Sequence, residues 1–243
     1  GTAVAWDFRS EDVGCGGQGA PLAPIFHWAL ARYKQIEEPM AIVNLGGVGN
    51  LTWIDARLPA EQGLLAFDTG PANAPLNDFM MKTTGHPYDV GGALAASGRV
   101  DEELVALFLQ RPYFSRSAPK SLDRDSFSDM VELVAQLAPA DAAATLTALC
   151  VAAIEAALPL IPVQPKQVWI SGGGRKNIEI MRQLAMKLPM KVYDIDDIGL
   201  DGDMLEAQAF AYLAARVARG LATSFPATTA TKAPLCGGKI SLP

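Results

Sequence analysis

The sequence predicts an α/β domain built on a mixed sheet flanked by helices, and three observations carry that prediction. Three short apolar runs, Met40 to Asn44, Leu51 to Asp55 and Leu64 to Phe67, follow one another closely enough to be consecutive strands joined as hairpins, an antiparallel extension of a sheet. After Pro162 and Pro165, strands alternate with helices, the pattern that produces parallel pairing. Half of the 243 residues are hydrophobic and only 19% are charged, so the chain buries a substantial core and is not disordered.

Thr2 to Trp6 reads as a strand that delivers Asp7 and Arg9 to its end, ahead of the glycine-rich loop Gly14-Cys-Gly-Gly-Gln-Gly-Ala-Pro21. Arg9 can clamp an anionic group through two parallel hydrogen bonds, or pair with Glu11 or Asp12 at the surface. Leu22 to Gln35 has helical periodicity, and Asp55 to Gly63 is the turn before the Leu64 strand. Pro75 to Thr84 reads as a helix stopped by Gly85, Tyr88 to Gly98 as a loop with a brief helix, and Asp101 to Leu109 as a helix capped by Asp101. Arg111 to Phe114 and Ala118 to Arg124 are irregular, with Lys120 and Arg124 either solvated charges or phosphate contacts. Asp125 to Leu137 and Asp141 to Leu158 are expected as helices, the second Ala-rich and nearly uncharged, therefore central. Gln167 to Ser171 is a buried strand, Gly172 to Gly174 a tight turn and Asn177 to Leu188 a helix. Lys191 to Asp194 is a strand, Asp203 to Arg219 the last helix, closed by Gly220, and a short strand is expected near Lys239 to Leu242.

Asn44-Leu-Gly-Gly-Val-Gly-Asn50 and Phe67-Asp-Thr-Gly-Pro-Ala-Asn73 each read as a strand ending in a glycine-bearing loop. Ordinary turn chemistry accounts for either alone. Two of them close together point to a phosphate or sugar site, with the Asp68 carboxylate among Thr69, Gly70 and Asn73. The strand, glycines and helix around Gly172 to Gly174 present backbone N–H groups and a helix N-terminus to a nucleotide or phosphate, or serve only as a packing turn. Asp203-Met-Leu-Glu206 has the form of a capping box, which by itself explains Glu206.

A net charge of −6 without a basic run argues against nucleic acid as a partner. Three scattered cysteines fit a reducing, cytoplasmic compartment and argue against zinc, and two histidines argue against a Ser-His-Asp triad. His27 falls in a helix and reads as a packing or solvent-facing residue. The first residues have no secretory pattern, and the apolar run Ala142 to Pro162 carries Thr145, Thr147, Glu155 and Pro159, so it reads as a core helix and not a membrane span.

Taken together, Asp7 to Pro21, Asn44 to Thr52, Phe67-Asp-Thr-Gly-Pro, Pro87-Tyr-Asp89, Pro119-Lys-Ser121, Ser171 to Gly174 and Gly202-Asp-Met-Leu-Glu-Ala207 resemble the anhydro-N-acetylmuramic acid kinase family of the actin-like ATPase superfamily. The resemblance implies an actin-like ATPase (ribonuclease H-like) fold with its N-terminal part missing. Residues 1–115 would hold the remainder of the first lobe with the substrate-binding hairpins, and residues 116–243 the C-terminal lobe with the adenosine motif. It also implies a reaction with ATP and Mg²⁺. Water opens the 1,6-anhydro bridge at C1 while O6 receives the γ-phosphate, giving N-acetylmuramic acid 6-phosphate in peptidoglycan recycling. On the matched positions, Asp68 is the general base on that water, and Glu206 contacts the sugar, sharing that role with the cap. Asn73 and Arg9 also bind substrate, Arg9 near the lactyl carboxylate. Asn44, Gly46 and Gly47 form the second phosphate loop, and Gly172, Gly173 and Gly174 the adenosine motif. A homodimer is expected, with the Ala-rich helices suited to its interface.

Two substitutions depart from the family pattern: Ala72 stands in place of a glycine, and Leu122-Asp123 in place of Thr-Gly. A first phosphate loop, Gly-x-Ser-x-Asp-Gly, does not occur in the sequence. The resemblance places it in an additional N-terminal segment of about a third of the family's length. The chain is therefore expected to be inactive alone. The alternatives are a non-catalytic sugar- or nucleotide-binding module and a kinase of an ordinary amino sugar.

Overall fold

The computed structural model describes residues 1–243. Its main elements are β1 (Val4–Trp6), α1 (Pro24–Tyr33), β2 (Met40–Leu45), β3 (Val48–Ile54), β4 (Leu64–Pro71), α2 (Asn73–Thr84), α3 (Glu102–Leu109), α4 (Pro139–Ala157), β5 (Gln167–Ser171), α5 (Ile178–Lys187), β6 (Lys191–Asp194), α6 (Leu205–Val217) and β7 (Lys239–Ser241). β1 and β7 pair antiparallel as a two-stranded ribbon. The other five strands form one sheet in the order β4-β3-β2-β5-β6. β3 is antiparallel to both of its neighbours, whereas β2, β5 and β6 are mutually parallel. Numbered by chain order within the sheet, the arrangement is 3-2-1-4-5 with one reversed strand, the ribonuclease H-like layout implied by the family resemblance. The division expected between residues 115 and 116 does not coincide with a break in this sheet, because β2, β3 and β4 precede it and β5 and β6 follow it.

Met40 to Val43 is an unbroken apolar run because helices cover β2 on both faces. On one face Ala41, Val43, Leu51, Phe67 and Ile170 pack with Val151 and Ile154 of α4 and with Ile180 and Leu184 of α5. On the other, Met40, Ile42, Ile54 and Trp169 pack with Ile25 and Ala31 of α1 and Leu213 of α6. A further cluster joins α2, α3 and α4 through Leu76, Phe79, Phe108 and Leu149, with Phe114 and Phe127 from the irregular segment. α4 is long and apolar enough to cross a membrane by length and composition, but it is the core helix of this fold. Its Leu146, Leu149 and Ile154 are no more than 2% exposed, each contributing about 1.5–3 kcal/mol relative to exposure. That apolar surface is taken up by the core of this chain, which leaves little of the Ala-rich helix exposed.

Local signals set several boundaries. Asp101 accepts a hydrogen bond from the Leu104 N–H at 3.0 Å and starts α3. Asn177 caps α5 by accepting from Glu179 and Ile180. Gly85, at φ 74°, ends α2 in the left-handed conformation. Asp125 to Leu137 is not one helix: it divides into a 3-10 turn at Arg124–Phe127 and a short α-turn at Met130–Leu133. The Ser126 hydroxyl accepts from the Asp123 N–H, a local alternative to continued helix. The last long helix begins at Leu205, not at Asp203, and ends at Val217 before Gly220.

Candidate active site

One cross-strand row organises the site. Ser171 on β5 is in register with Asn44 on β2, Asn44 with Asn50 on β3, and Asn50 with Asp68 on β4. Directly opposed residues project to one face of a sheet. All four line a cleft of about 470 Å³. Arg9, His27, Gly172, Gly173, Asp203 and Glu206 line the same cleft, and Leu22, Leu205, Phe210 and Leu213 form an apolar wall.

Neither glycine-bearing stretch is the open loop that its composition predicts. β4 continues through Asp68 to Pro71, and its register slips against Gly49 and Asn50, leaving Thr69 as the extra residue of a β-bulge. The bulge re-aims the strand next to Asp68. Asp68 Oδ1 accepts from Asn50 Nδ2 at 2.9 Å and Oδ2 from the Leu122 N–H at 2.7 Å. Burial nevertheless pushes the Asp68 carboxyl above its ordinary pKa, against the opposing effect of those two hydrogen bonds. Beneath it, the Tyr113 hydroxyl donates to the Asp68 carbonyl, and the Asp68 N–H donates to the Lys120 carbonyl. Lys120 is not a solvated loop charge: it is only 5% exposed and does not line the cleft. Its Nζ donates to the Tyr113 carbonyl at 3.0 Å and lies 4.4 Å from the Tyr113 ring centroid. Burial, helped by Arg116, lowers its pKa to about 8.

The Asn44 to Asn50 stretch is a tight hairpin in which only Gly46 and Gly47 lie outside the strands. Their carbonyls accept from the Asn73 and Ala72 N–H groups, which ties the turn to the start of α2. The N–H groups of Gly46 and Gly47 have no acceptor in the protein, leaving two backbone donors for an anion. Asn73 itself points inward: its Nδ2 donates to the Leu45 carbonyl at 2.8 Å. A Cβ on Gly174 would meet the Asn73 side chain and Leu45. Asn73, Gly46, Gly47 and Gly174 therefore surround the row without lining the cleft, whereas Asp68, Arg9, Asn44, Glu206, Gly172 and Gly173 do line it. Gly172 takes φ +78°, and a Cβ there would fall 2.4 Å from Asn44 Oδ1. That position requires glycine.

The capping box at Asp203 is not formed. Met204 holds the N-cap position of α6 with no side-chain cap. Asp203 instead faces Lys176 at 2.8 Å and Arg175 at 3.0 Å. The Arg175 side chain is 2% exposed and also reaches Asp196 at 2.9 Å and the Gly172 carbonyl at 3.1 Å. This guanidinium joins the Gly172 turn to the segment that launches α6. Glu206, with no cap to form, presents an exposed carboxylate to the cleft. Arg9 is not paired with Glu11 or Asp12. Asp12 is buried and accepts from the Gly19 N–H and the Thr229 hydroxyl, so the Arg9 guanidinium is left at the cleft without an ion pair.

The chain matches the family model "Anhydro-N-acetylmuramic acid kinase" over residues 1–242. It belongs to the anhydro-N-acetylmuramic acid kinase family. It is 53% identical to the anhydro-N-acetylmuramic acid kinase of Ruegeria sp. (strain TM1040), over 100% of this chain and 66% of that protein. With the anhydro-N-acetylmuramic acid kinase of Roseobacter denitrificans it shares 54% identity, over 99% of this chain and 64% of the relative. The chain thus spans just under two thirds of the curated relatives that it matches. Among solved structures, component A of (R)-2-hydroxyglutaryl-CoA dehydratase from Acidaminococcus fermentans is similar at 16% identity and a TM-score of 0.47, over 80% of this chain and 68% of that one. That likeness is too loose to bear on the family assignment.

No motif assigns a site role to Asn50, Ser171, Arg175 or Asp203. Their signal is register: once β2, β3, β4 and β5 are aligned, Asn50 and Ser171 must share a row with Asn44 and Asp68. No sequence signal marks Arg175, whose partners lie up to 28 residues ahead in the chain.

Proposed function

We propose that the protein carrying this chain is an ATP-dependent kinase that opens 1,6-anhydro-N-acetylmuramic acid and phosphorylates it at O6. The observation that supports this reading is the Asp68 carboxylate. It faces a cleft with both oxygens held by hydrogen bonds, and burial raises its basicity. A water between Asp68 and C1 loses its proton to the carboxylate as its oxygen bonds to C1. The C1–O6 bond breaks, O6 bonds to the γ-phosphorus, and the bridging P–O bond breaks to release ADP. Arg9 and Glu206, on the cleft rim, hold the polar groups of the sugar, Arg9 toward its lactyl carboxylate. Asn73 supports the wall behind them through Leu45.

The nucleotide reading rests on the free N–H groups of Gly46 and Gly47 beside Asn44, and on the Gly172–Gly173 turn, where backbone is open to the cleft. No group of three or more His, Cys, Asp or Glu side chains is placed to hold a metal ion. Mg²⁺ would arrive bound to the triphosphate and not in a protein cage. A cytoplasmic location and a homodimer complete the proposal, the dimer through a surface other than α4.

The test uses the full-length protein with ATP, 1,6-anhydro-N-acetylmuramic acid and ¹⁸O-labelled water. The reading requires equal amounts of ADP and sugar 6-phosphate, with the label at C1. Phosphorylation of free N-acetylmuramic acid without label would make it a kinase of an ordinary amino sugar. Ligand binding without any product would make it a binding module.

A further inference from the structure

His27 has a second ring nitrogen that the protein leaves without a partner. The residue lies on α1, is 5% exposed, and lines the cleft. Its Nδ1 is 3.0 Å from Thr52 Oγ1. Thr52 sits on β3 two residues beyond Asn50, in register with Ile42 and Ala66, so it belongs to the next inward row on the same face as Asn44, Asn50 and Asp68. Consecutive rows on one face are about 6.6–6.8 Å apart. His27 therefore stands one pleat behind the Asp68 row, at the back of the cleft.

Nε2 has no hydrogen-bond partner in the protein, and it is not among the buried side-chain atoms that are both sealed and unpartnered. The residual exposure of this ring is therefore into the cleft. Leu22, Ala23 and Leu213 line the cleft with it, so the nitrogen is a polar point in a cleft that also has apolar lining. A polar atom in such a place costs free energy unless something bonds to it. Burial also lowers the His27 pKa to about 4, so the ring is neutral near pH 7 and is no counter-ion for a carboxylate or a phosphate.

We propose that His27 is a specificity-determining residue whose Nε2 hydrogen-bonds an uncharged hydroxyl or acetamido group of the amino sugar seated over Asp68. The identity of the sugar rests on the kinase reading; the polar point at the back of the cleft does not. Arg9 and Glu206 meet charged and polar groups at the rim, and His27 reads the far side of the ring. A site that hydrogen-bonds one substrate group discriminates strongly against an analogue lacking it.

The experiment is a calorimetric titration of the full-length protein with 1,6-anhydro-N-acetylmuramic acid and, separately, with a non-hydrolysable ATP analogue. It compares wild type with His27→Phe, His27→Asn and His27→Gln. Gln extends an amide to the position of Nε2, whereas Asn reaches only Thr52. The Phe and Asn variants should bind the sugar about tenfold more weakly, the Gln variant within about threefold of wild type, and all should hold the ATP analogue as wild type does. If the Phe variant does not fold, the Gln and Asn pair decides the question. Sugar affinity unchanged in the Asn variant, or ATP affinity falling as much as sugar affinity, overturns the proposal. A wild type that binds the sugar here but yields no product with ATP in the ¹⁸O-labelled water assay removes the kinase reading and leaves the His27 comparison decisive, whereas a wild type that binds no sugar overturns both.

Discussion

Asp68→Asn separates the two consequences of burying one carboxylate. The two accepted hydrogen bonds, from Asn50 at 2.9 Å and Leu122 at 2.7 Å, can both survive. The new amide oxygen accepts from Leu122, and the Asn50 amide turns over to accept from the new NH₂ group. Losing the charge weakens each bond by about 1 kcal/mol. Against that stands desolvation, which is the larger influence on Asp68 and raises its pKa. A folded pKa above the unfolded value of about 3.9 means a contribution that favours folding below that pH and is lost as pH rises through the folded value. At pH 7 the ionised Asp68 therefore opposes folding, and Asn escapes that penalty. The variant should melt at or above the wild-type temperature at pH 7, with the advantage shrinking toward pH 4. Turnover by the full-length protein, followed as ADP release with the anhydro-sugar, should fall by about 10²–10⁴ if Asp68 is the base. Near-wild-type turnover refutes the base assignment. A melting point lowered by more than about 4 °C at pH 7, on the order of 1–2 kcal/mol for a domain of this size, refutes the desolvation argument.

Three other outcomes are expected. Gly172→Ala places a methyl group 2.4 Å from Asn44 Oδ1 at φ +78°, so it should cost about 1–3 kcal/mol and weaken ATP binding, read by thermal melting and nucleotide titration. Arg175→Lys keeps the charge but loses the fork that reaches Asp196, Asp203 and the Gly172 carbonyl together; it should lower stability by about 1–3 kcal/mol and raise the KM for both substrates. The 243-residue chain by itself, which contains no Gly-x-Ser-x-Asp-Gly motif, should show no ATP-dependent release of sugar phosphate by mass spectrometry, and measurable turnover would overturn that expectation.

The central strands were readable because burial on both faces forces an unbroken apolar run, as in Met40 to Val43. Asp68 was readable as a carboxylate at a strand end, but its setting was not. The bulge at Thr69 is a property of two strands paired out of step, and no single strand encodes its partner's register. Lys120 differs in the opposite way: a lysine between Pro119 and Ser121 has the composition of a solvated loop, whereas the fold buries it with its ammonium against the rings of Phe67 and Tyr113. Asn50 and Ser171 became visible only with the strands aligned, although each stands within a stretch already marked by its glycines.

The unformed capping box at Asp203 shows how magnitudes decide between a local and a distant partner. An N-cap contributes about 1 kcal/mol. Asp203 facing Lys176 and Arg175 together instead makes two charge-assisted contacts, one of them to a guanidinium that is 2% exposed and also faces Asp194 and Asp196, and a hydrogen bond to a charged group contributes about 1.5–3 kcal/mol. The long-range pair wins, Met204 takes the cap position without a side-chain bond, and Glu206 has no cap to serve. A glutamate that a local rule would have tied to its own helix end is thereby free to face the cleft. The same guanidinium bonds to the Gly172 carbonyl, so the turn proposed for the nucleotide and the helix start proposed for the sugar share one buried anchor. If that anchor sets both, Arg175→Lys must change the two KM values together; a change confined to one would place the other rim of the cleft under independent control.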